Sequence, residues 1–232
     1  METPPRLVLV PGLDGTVLLF GPFLRVWKGP VTVLPLPADP AQGYDELLAN
    51  LARNLPEEPF LLLCESFSGP LGIRIAAAPL ASMLGLILCV SFARNPLGCL
   101  AGPARALAQP ALLARLPMSL VRRRLLGDWA TPELLALLDT ALLGLSGKVV
   151  AARIQALSRV DATSALEACR TPVLVLSARS DAVVPRRCAR HLLRHAPQAR
   201  GQEFPGPHLL LQTQPVGAAE SILTFLDSLQ VN

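Results

Sequence analysis

Apolar runs bounded by turn residues recur along the chain, from Arg6 to Pro11, Val31 to Leu36, Phe60 to Cys64, Leu84 to Phe92, Pro172 to Ser177 and, more weakly, Gly201 to Pro205. They are nearly continuous in hydrophobicity rather than alternating, the pattern of parallel strands covered by helices on both faces of a sheet. Between them, Tyr44 to Leu55 (YDELLANLARNL), Phe67 to Ala78, Pro185 to Ala196 and Ala218 to Leu229 carry helical spacing. This alternation predicts an α/β fold on a mostly parallel sheet of six strands flanked by helices. The stretch from Asn95 to Ala168 holds no strand pattern. Its Leu, Ala and Arg residues fall at helical spacing, and Pro103, Pro110, Pro117 and Pro132 divide it, so several short helices are expected after the fourth strand.

The third apolar run ends abruptly in Cys64-Glu65-Ser66-Phe67-Ser68-Gly69, where a new apolar segment begins. A serine on a sharp strand-to-helix turn is held in a strained backbone conformation that lifts its hydroxyl above the sheet edge, and small residues two before and two after it are a steric demand of that turn. The usual G-x-S-x-G spacing is loosened here to Cys64 and Ser68, with Gly69 one step late. A serine between strand and helix also serves as a helix cap, so this segment alone leaves both readings open.

The groups that follow favour chemistry. The run Pro172 to Ser177 leads into a polar loop carrying Asp181, and His208 sits in the Gly/Pro turn Phe204-Pro205-Gly206-Pro207-His208. Serine, then aspartate, then histidine is one of the three chain orders in which the Ser-His-Asp constellation is built.

With LVLVPGLDGT near the start, CESFSG at the turn, PVLVLSARSDAVVP before the acid and GPHLLLQ at the histidine, the chain resembles a small, serine-esterase-like member of the α/β-hydrolase superfamily over nearly its whole length. The resemblance implies Ser66 as nucleophile, Asp181 as acid and His208 as base, with the backbone amides of Leu13 and Phe67 as oxyanion donors. It implies the family's strand order, which for six strands counted along this chain reads 2-1-3-4-5-6. It also divides the one catalytic domain into an N-terminal part of the core at 1–94 with the oxyanion loop and elbow, a helical cap at 95–168, and a C-terminal part of the core at 169–232 with the acid and histidine loops. The expected activity is hydrolysis of carboxylic esters through an acyl-enzyme. An acyltransferase or thioesterase with the same triad, and a non-catalytic hydrolase-like binding protein, are the alternatives. No cofactor and no metal are expected, and the substrate is a small ester with an apolar acyl or alcohol group; a carrier-bound substrate is a weaker option.

Composition adds little against this picture. The 232 residues suit a single α/β domain, and 51% are hydrophobic. The net charge of +4 comes almost entirely from scattered arginine, and 4% aromatic content offers no stacking platform, so nucleic acid is not an expected partner. Met1-Glu2-Thr3-Pro4-Pro5 lacks a basic leader pattern, and the run Met83 to Val90 falls short of the ~20 residues needed to cross a bilayer, so a cytoplasmic protein without membrane insertion is expected. Five cysteines without a C-x-x-C pair read as reduced and mostly buried.

Other ionisable groups have plainer readings. His191 and His195 share a helical face but lack the glutamate of H-E-x-x-H, so a solvated face is expected rather than a metal site. Arg115, the run Arg122-Arg123-Arg124, Arg153 and Arg159 could receive an anionic substrate or carrier; a solvated face is the expectation for them too. Asp14 is expected to hold its own turn, and Glu65 to play a supporting role beside Ser66.

Overall fold

A computed structural model describes residues 4–78 and 80–230; the first residues of the N-terminal stretch read above for a leader lie outside them. Six strands, β1 (Arg6–Val10), β2 (Val31–Val33), β3 (Phe60–Glu65), β4 (Met83–Cys89), β5 (Val173–Ala178) and β6 (Ala199–Phe204), form one sheet in the order β2-β1-β3-β4-β5-β6. Every neighbouring pair is parallel, as the sequence pattern and the resemblance imply. The chain steps from β1 outward to β2 and then back across β1 to β3. That reversal opens a crevice at the C-terminal ends of β1 and β3, the place where such sheets receive ligands.

Three strands differ from the sequence reading by two residues or more. β4 stops at Cys89, short of Phe92, where Val90 turns to φ +44°. β2 stops at Val33, short of Leu36, because Pro35 and Pro37 have no N–H for the ladder. Leu34 still donates to Leu9 (2.9 Å), after which Leu36 turns to the carbonyl of Gly15 (2.9 Å). β6 begins at Ala199, earlier than Gly201; its polar sequence ARGQEF suits the mostly exposed outer strand.

Among the described residues are twelve α-helices, some of which cover the sheet: α1 (Gly21–Val26), α2 (Tyr44–Arg53), α3 (Gly69–Ala76), α4 (Ala101–Leu107), α5 (Pro110–Leu113), α6 (Met118–Leu126), α7 (Pro132–Leu143), α8 (Gly147–Leu157), α9 (Thr163–Ala168), α10 (Arg186–His195), α11 (Leu210–Thr213) and α12 (Pro215–Gln230). Strand alternation sorts the core. Val8, Val10, Leu62, Leu86 and Val175 point to one face with Leu47 and Leu51 of α2, Leu71 of α3, Leu166 of α9 and Leu192 of α10. Leu7, Leu9, Leu63, Ile87 and Leu176 point to the other with Phe23 of α1, Leu211 of α11, and Ile222 and Phe225 of α12. Truncating any of the fully buried leucines to alanine in such a core typically costs ~2–5 kcal/mol.

Between β4 and β5, α4 and α5 lie against α8, and α7 packs on the short turn at Leu18–Phe20. α9, the last helix of that stretch, packs instead on α3 and α10 and buries Leu166 in the core. No single helix among the described residues is long and apolar enough to cross a membrane.

Candidate active site

Ser66 directly follows β3 and has φ +51°, the left-handed backbone that a non-glycine residue adopts only under constraint. The constraints are visible. Ser68 donates its hydroxyl to the carbonyls of Val10 (2.9 Å) and Glu65 (3.0 Å), tying the turn to the end of β1. Ser91 donates to the carbonyl of Ser66 itself at 2.6 Å. Ser91 is presented by a second constrained residue, Val90, at φ +44°. The helix behind the turn starts against Ser91: a Cβ on Gly69 would lie 1.8 Å from the Ser91 hydroxyl oxygen. The glycine one step late in the sequence is therefore the residue that the close approach of Ser91 requires.

Cys64 replaces the other usual glycine, and a glycine elsewhere makes room for it. A Cβ on Gly72, in α3, would lie 2.5 Å from the Cys64 sulfur. The thiol is fully enclosed, and burial pushes its pKa up to about 12, so it is neither a nucleophile nor a ligand at ordinary pH. Cys89, Cys169 and Cys188 are also buried, Cys99 is exposed, and all five thiols are free.

The sheet brings together the three side chains singled out in the sequence. His208 Nε2 lies 2.9 Å from Ser66 Oγ, and His208 Nδ1 lies 2.8 Å from Asp181 Oδ2. Because an ionised carboxylate only accepts, Nδ1 carries the proton and Nε2 turns its lone pair to the hydroxyl. Asp181 is held in turn by the amides of Val183 and Val184, both 2.8 Å from its other oxygen. His208 and the Asp181 side chain are almost wholly buried.

The loop after β1 closes over the turn. Gly12 approaches so near that a Cβ there would lie 3.5 Å from Ser66 Cβ, and Leu13 and Phe67 line the same cavity as Ser66. Asp14 holds this loop as expected, accepting from the Thr16 amide (2.9 Å) and hydroxyl (2.6 Å). Gly15 is at φ +71°, where any side chain would also collide with Arg153.

Arg153 departs from the sequence reading. It is buried in α8 rather than solvated, and it donates to the carbonyls of Leu13 (2.6 Å), Pro37 (2.9 Å) and Leu36 (3.3 Å). Its guanidinium also lies 5.9 Å from the centre of the Phe67 ring. Tyr44 stacks on that ring at 4.8 Å and donates its hydroxyl to the Phe67 carbonyl at 2.9 Å. The remaining arginines of the group behave differently: Arg115, Arg123, Arg124 and Arg159 are exposed, and Arg122 pairs with Asp139.

Glu65 is buried beside Ser66. Gln212, one helical turn after His208, donates to it at 3.2 Å and to the Leu19 carbonyl at 3.1 Å, joining the histidine segment to the elbow. Burial, with the nearby Asp14 carboxyl adding, raises the Glu65 pKa to about 7. Sequence reasoning gave Ser91, Gln212 and Tyr44 no role at the site and read Arg153 as part of a solvated face; of the first three, Gln212 leaves a trace there, as the end of the GPHLLLQ match.

Over Ser66 lies a cavity of about 470 Å³. Ser66, His208 and Glu65 form part of its floor, and its walls are overwhelmingly apolar, including Leu113, Val121, Leu138, Leu142 and Val150 from α5 to α8. The two histidines of α10 do not line this cavity. Their rings are 4.2 Å apart, with His191 hydrogen-bonded to Thr163 (3.0 Å) and His195 to Glu167 (2.7 Å).

This sheet order, with the sharp turn at Ser66 after β3 and the loops carrying Asp181 and His208 after β5 and β6, is the α/β-hydrolase fold. No protein-family model matches the chain, and no curated protein matches it by sequence. Solved structures do. The chain is similar to an enol-lactonase from Burkholderia xenovorans LB400 at TM-score 0.84 and 18% identity, with 97% of this chain and 92% of that chain covered. It is similar to a thermophilic esterase from Thermogutta terrifontis at TM-score 0.80 and 22% identity, covering 99% and 92%, and to a bromoperoxidase from Bacillus anthracis at 0.84 and 17%, covering 97% and 93%.

Proposed function

We propose that the protein is a serine hydrolase that cleaves carboxylic esters through an acyl-enzyme intermediate. The observation that carries this reading is the continuous hydrogen-bonded chain Ser66–His208–Asp181 ending at the floor of an apolar cavity. His208 takes the proton of Ser66 as its oxygen attacks the ester carbonyl, and Asp181 steadies the charged imidazole. The amides of Leu13 and Phe67 receive the oxyanion. His208 then protonates the departing alcohol, and water, deprotonated by the same histidine, releases the acid. Within 95–168, the helices α5 to α8 act as a cap that shapes the pocket and limits water, whereas α9 belongs to the core.

The apolar walls suit an apolar acyl or alcohol group, and the esterase and lactonase among the structural neighbours support the ester class. The test is intact mass after a fluorophosphonate probe, run beside a panel of p-nitrophenyl esters. One adduct on wild-type protein, none on Ser66→Ala, and turnover of the esters are expected; an unlabelled, inactive wild-type protein would remove the reading.

A further inference from the structure

The helices over the cavity have an outer surface that the proposed hydrolysis does not use. From 95 to 127 the sequence holds five arginines and no aspartate or glutamate. Of residues 100–120 only Ala108 is buried. Leu100, Leu107, Leu112, Leu116, Met118 and Leu120 are each 38–62% exposed within this short stretch. Scattered single leucines on a surface need no explanation, but five leucines and a methionine exposed in one stretch, interleaved with arginines of which Arg122 pairs with Asp139, are the kind of surface that marks an interaction site.

Position adds a second observation. Ala114, Leu116 and Met118 both line the cavity above Ser66 and are exposed to solvent, so the cavity opens through this same layer. We propose that the surface formed by α4, α5 and the start of α6 docks on an anionic lipid bilayer, lying in the headgroup region rather than spanning it. Arg105, Arg115, Arg123 and Arg124 are drawn to negatively charged headgroups, and the leucines enter the headgroup–acyl boundary, where their exposure no longer costs hydration free energy. The apolar half of the surface favours a bilayer over an acidic protein partner, whose docking would rest on the arginines and leave the leucines without a function. Docking there sets the cavity opening against the layer in which apolar esters are dissolved.

Vesicle flotation of the full chain tests this. Vesicles of phosphatidylcholine alone and of phosphatidylcholine mixed with phosphatidylglycerol are compared, the latter also at about 0.5 M salt, where the Debye length shortens to a few ångströms. The chain is expected to float with the anionic vesicles, at least roughly tenfold less with the neutral ones, and to be released by salt. Arg105→Gln/Arg115→Gln/Arg123→Gln should lose at least roughly tenfold in binding. Leu107→Ser/Leu120→Ser should lose binding as well; both sets should keep the wild-type melting temperature and turnover of a short, soluble p-nitrophenyl ester. Ser66→Ala should float as wild type, so docking is read independently of ester cleavage. No flotation, equal flotation with neutral vesicles, undiminished binding by the triple arginine variant, or capture by an acidic carrier protein without vesicle binding would each overturn the proposal.

Discussion

The guanidinium of Arg153 reaches 2.6 Å to the carbonyl of Leu13 across 140 residues of sequence, so a helix of the inserted segment grips the loop that lines the cavity beside Ser66. The same side chain holds Leu36 and Pro37, the point where the chain leaves β2. Arg153→Met strands three carbonyls and frees the loop. It is expected to lower kcat roughly ten- to a hundredfold with a smaller change in KM, because a displaced oxyanion donor is felt mainly in the transition state. Arg153→Lys should recover part of the loss. Steady-state kinetics on a p-nitrophenyl ester check both, and unchanged kcat in the methionine variant would dissociate Arg153 from the oxyanion loop.

Ser66→Ala should lower kcat by on the order of 10⁶, and Asp181→Asn by about 10⁴ through the wrong histidine tautomer. Both proteins should melt near the wild-type temperature. Probe labelling that persists on Ser68 in the Ser66 variant would contradict the assignment, as would an Asp181 variant of nearly full activity.

Glu65 gives a dependence of stability on pH. Its pKa rises on folding from an ordinary 4.5 to about 7. The folded protein thus holds this proton longer than the unfolded chain, so the stability of the neutral carboxyl is fully present below about 4.5 and is lost as pH rises through about 7. Glu65→Gln removes that loss. Urea unfolding should show the variant close to wild type at low pH and more stable at pH 8, by roughly 3 kcal/mol. A constant difference across the range would mean that Glu65 is ionised throughout.

Cys64 and Gly72 form a complementary pair. Gly72→Ala should destabilise by ~1–3 kcal/mol, since the new methyl overlaps the Cys64 sulfur, and Cys64→Gly should relieve much of that cost in the double variant. Additive effects in denaturant would show that the two positions are independent. In the native protein a bulky maleimide should label Cys99 and spare Cys64, as mass spectrometry of the peptides can establish.

Much of this site is legible in the sequence because it depends on local pattern and chain order. The apolar run into Ser66, the polar loop at Asp181 and the Gly/Pro turn at His208 each declare their own backbone, and the order of the three implies their meeting. What stays hidden depends on partners distant in sequence. Arg153 looks like any arginine on an amphipathic helix until the carbonyls of Leu13, Leu36 and Pro37 are seen around it. The late Gly69 looks like a defect in the motif until Ser91 is seen against it. Likewise Val31 to Leu36 reads as one strand because hydrophobicity continues to Leu36, whereas the missing N–H groups of Pro35 and Pro37 end the ladder.

The sheet order also sets a sequence of events during synthesis. β1 to β4 are contiguous in space as well as in the chain, and β5 and β6 then join one edge in turn. A chain emerging from its N-terminus has every strand of the elbow, and Ser91 to brace it, before residue 181 or 208 has been made. On the proposed mechanism the serine is thus synthesised well before the base that activates it, which comes in the last quarter of the chain.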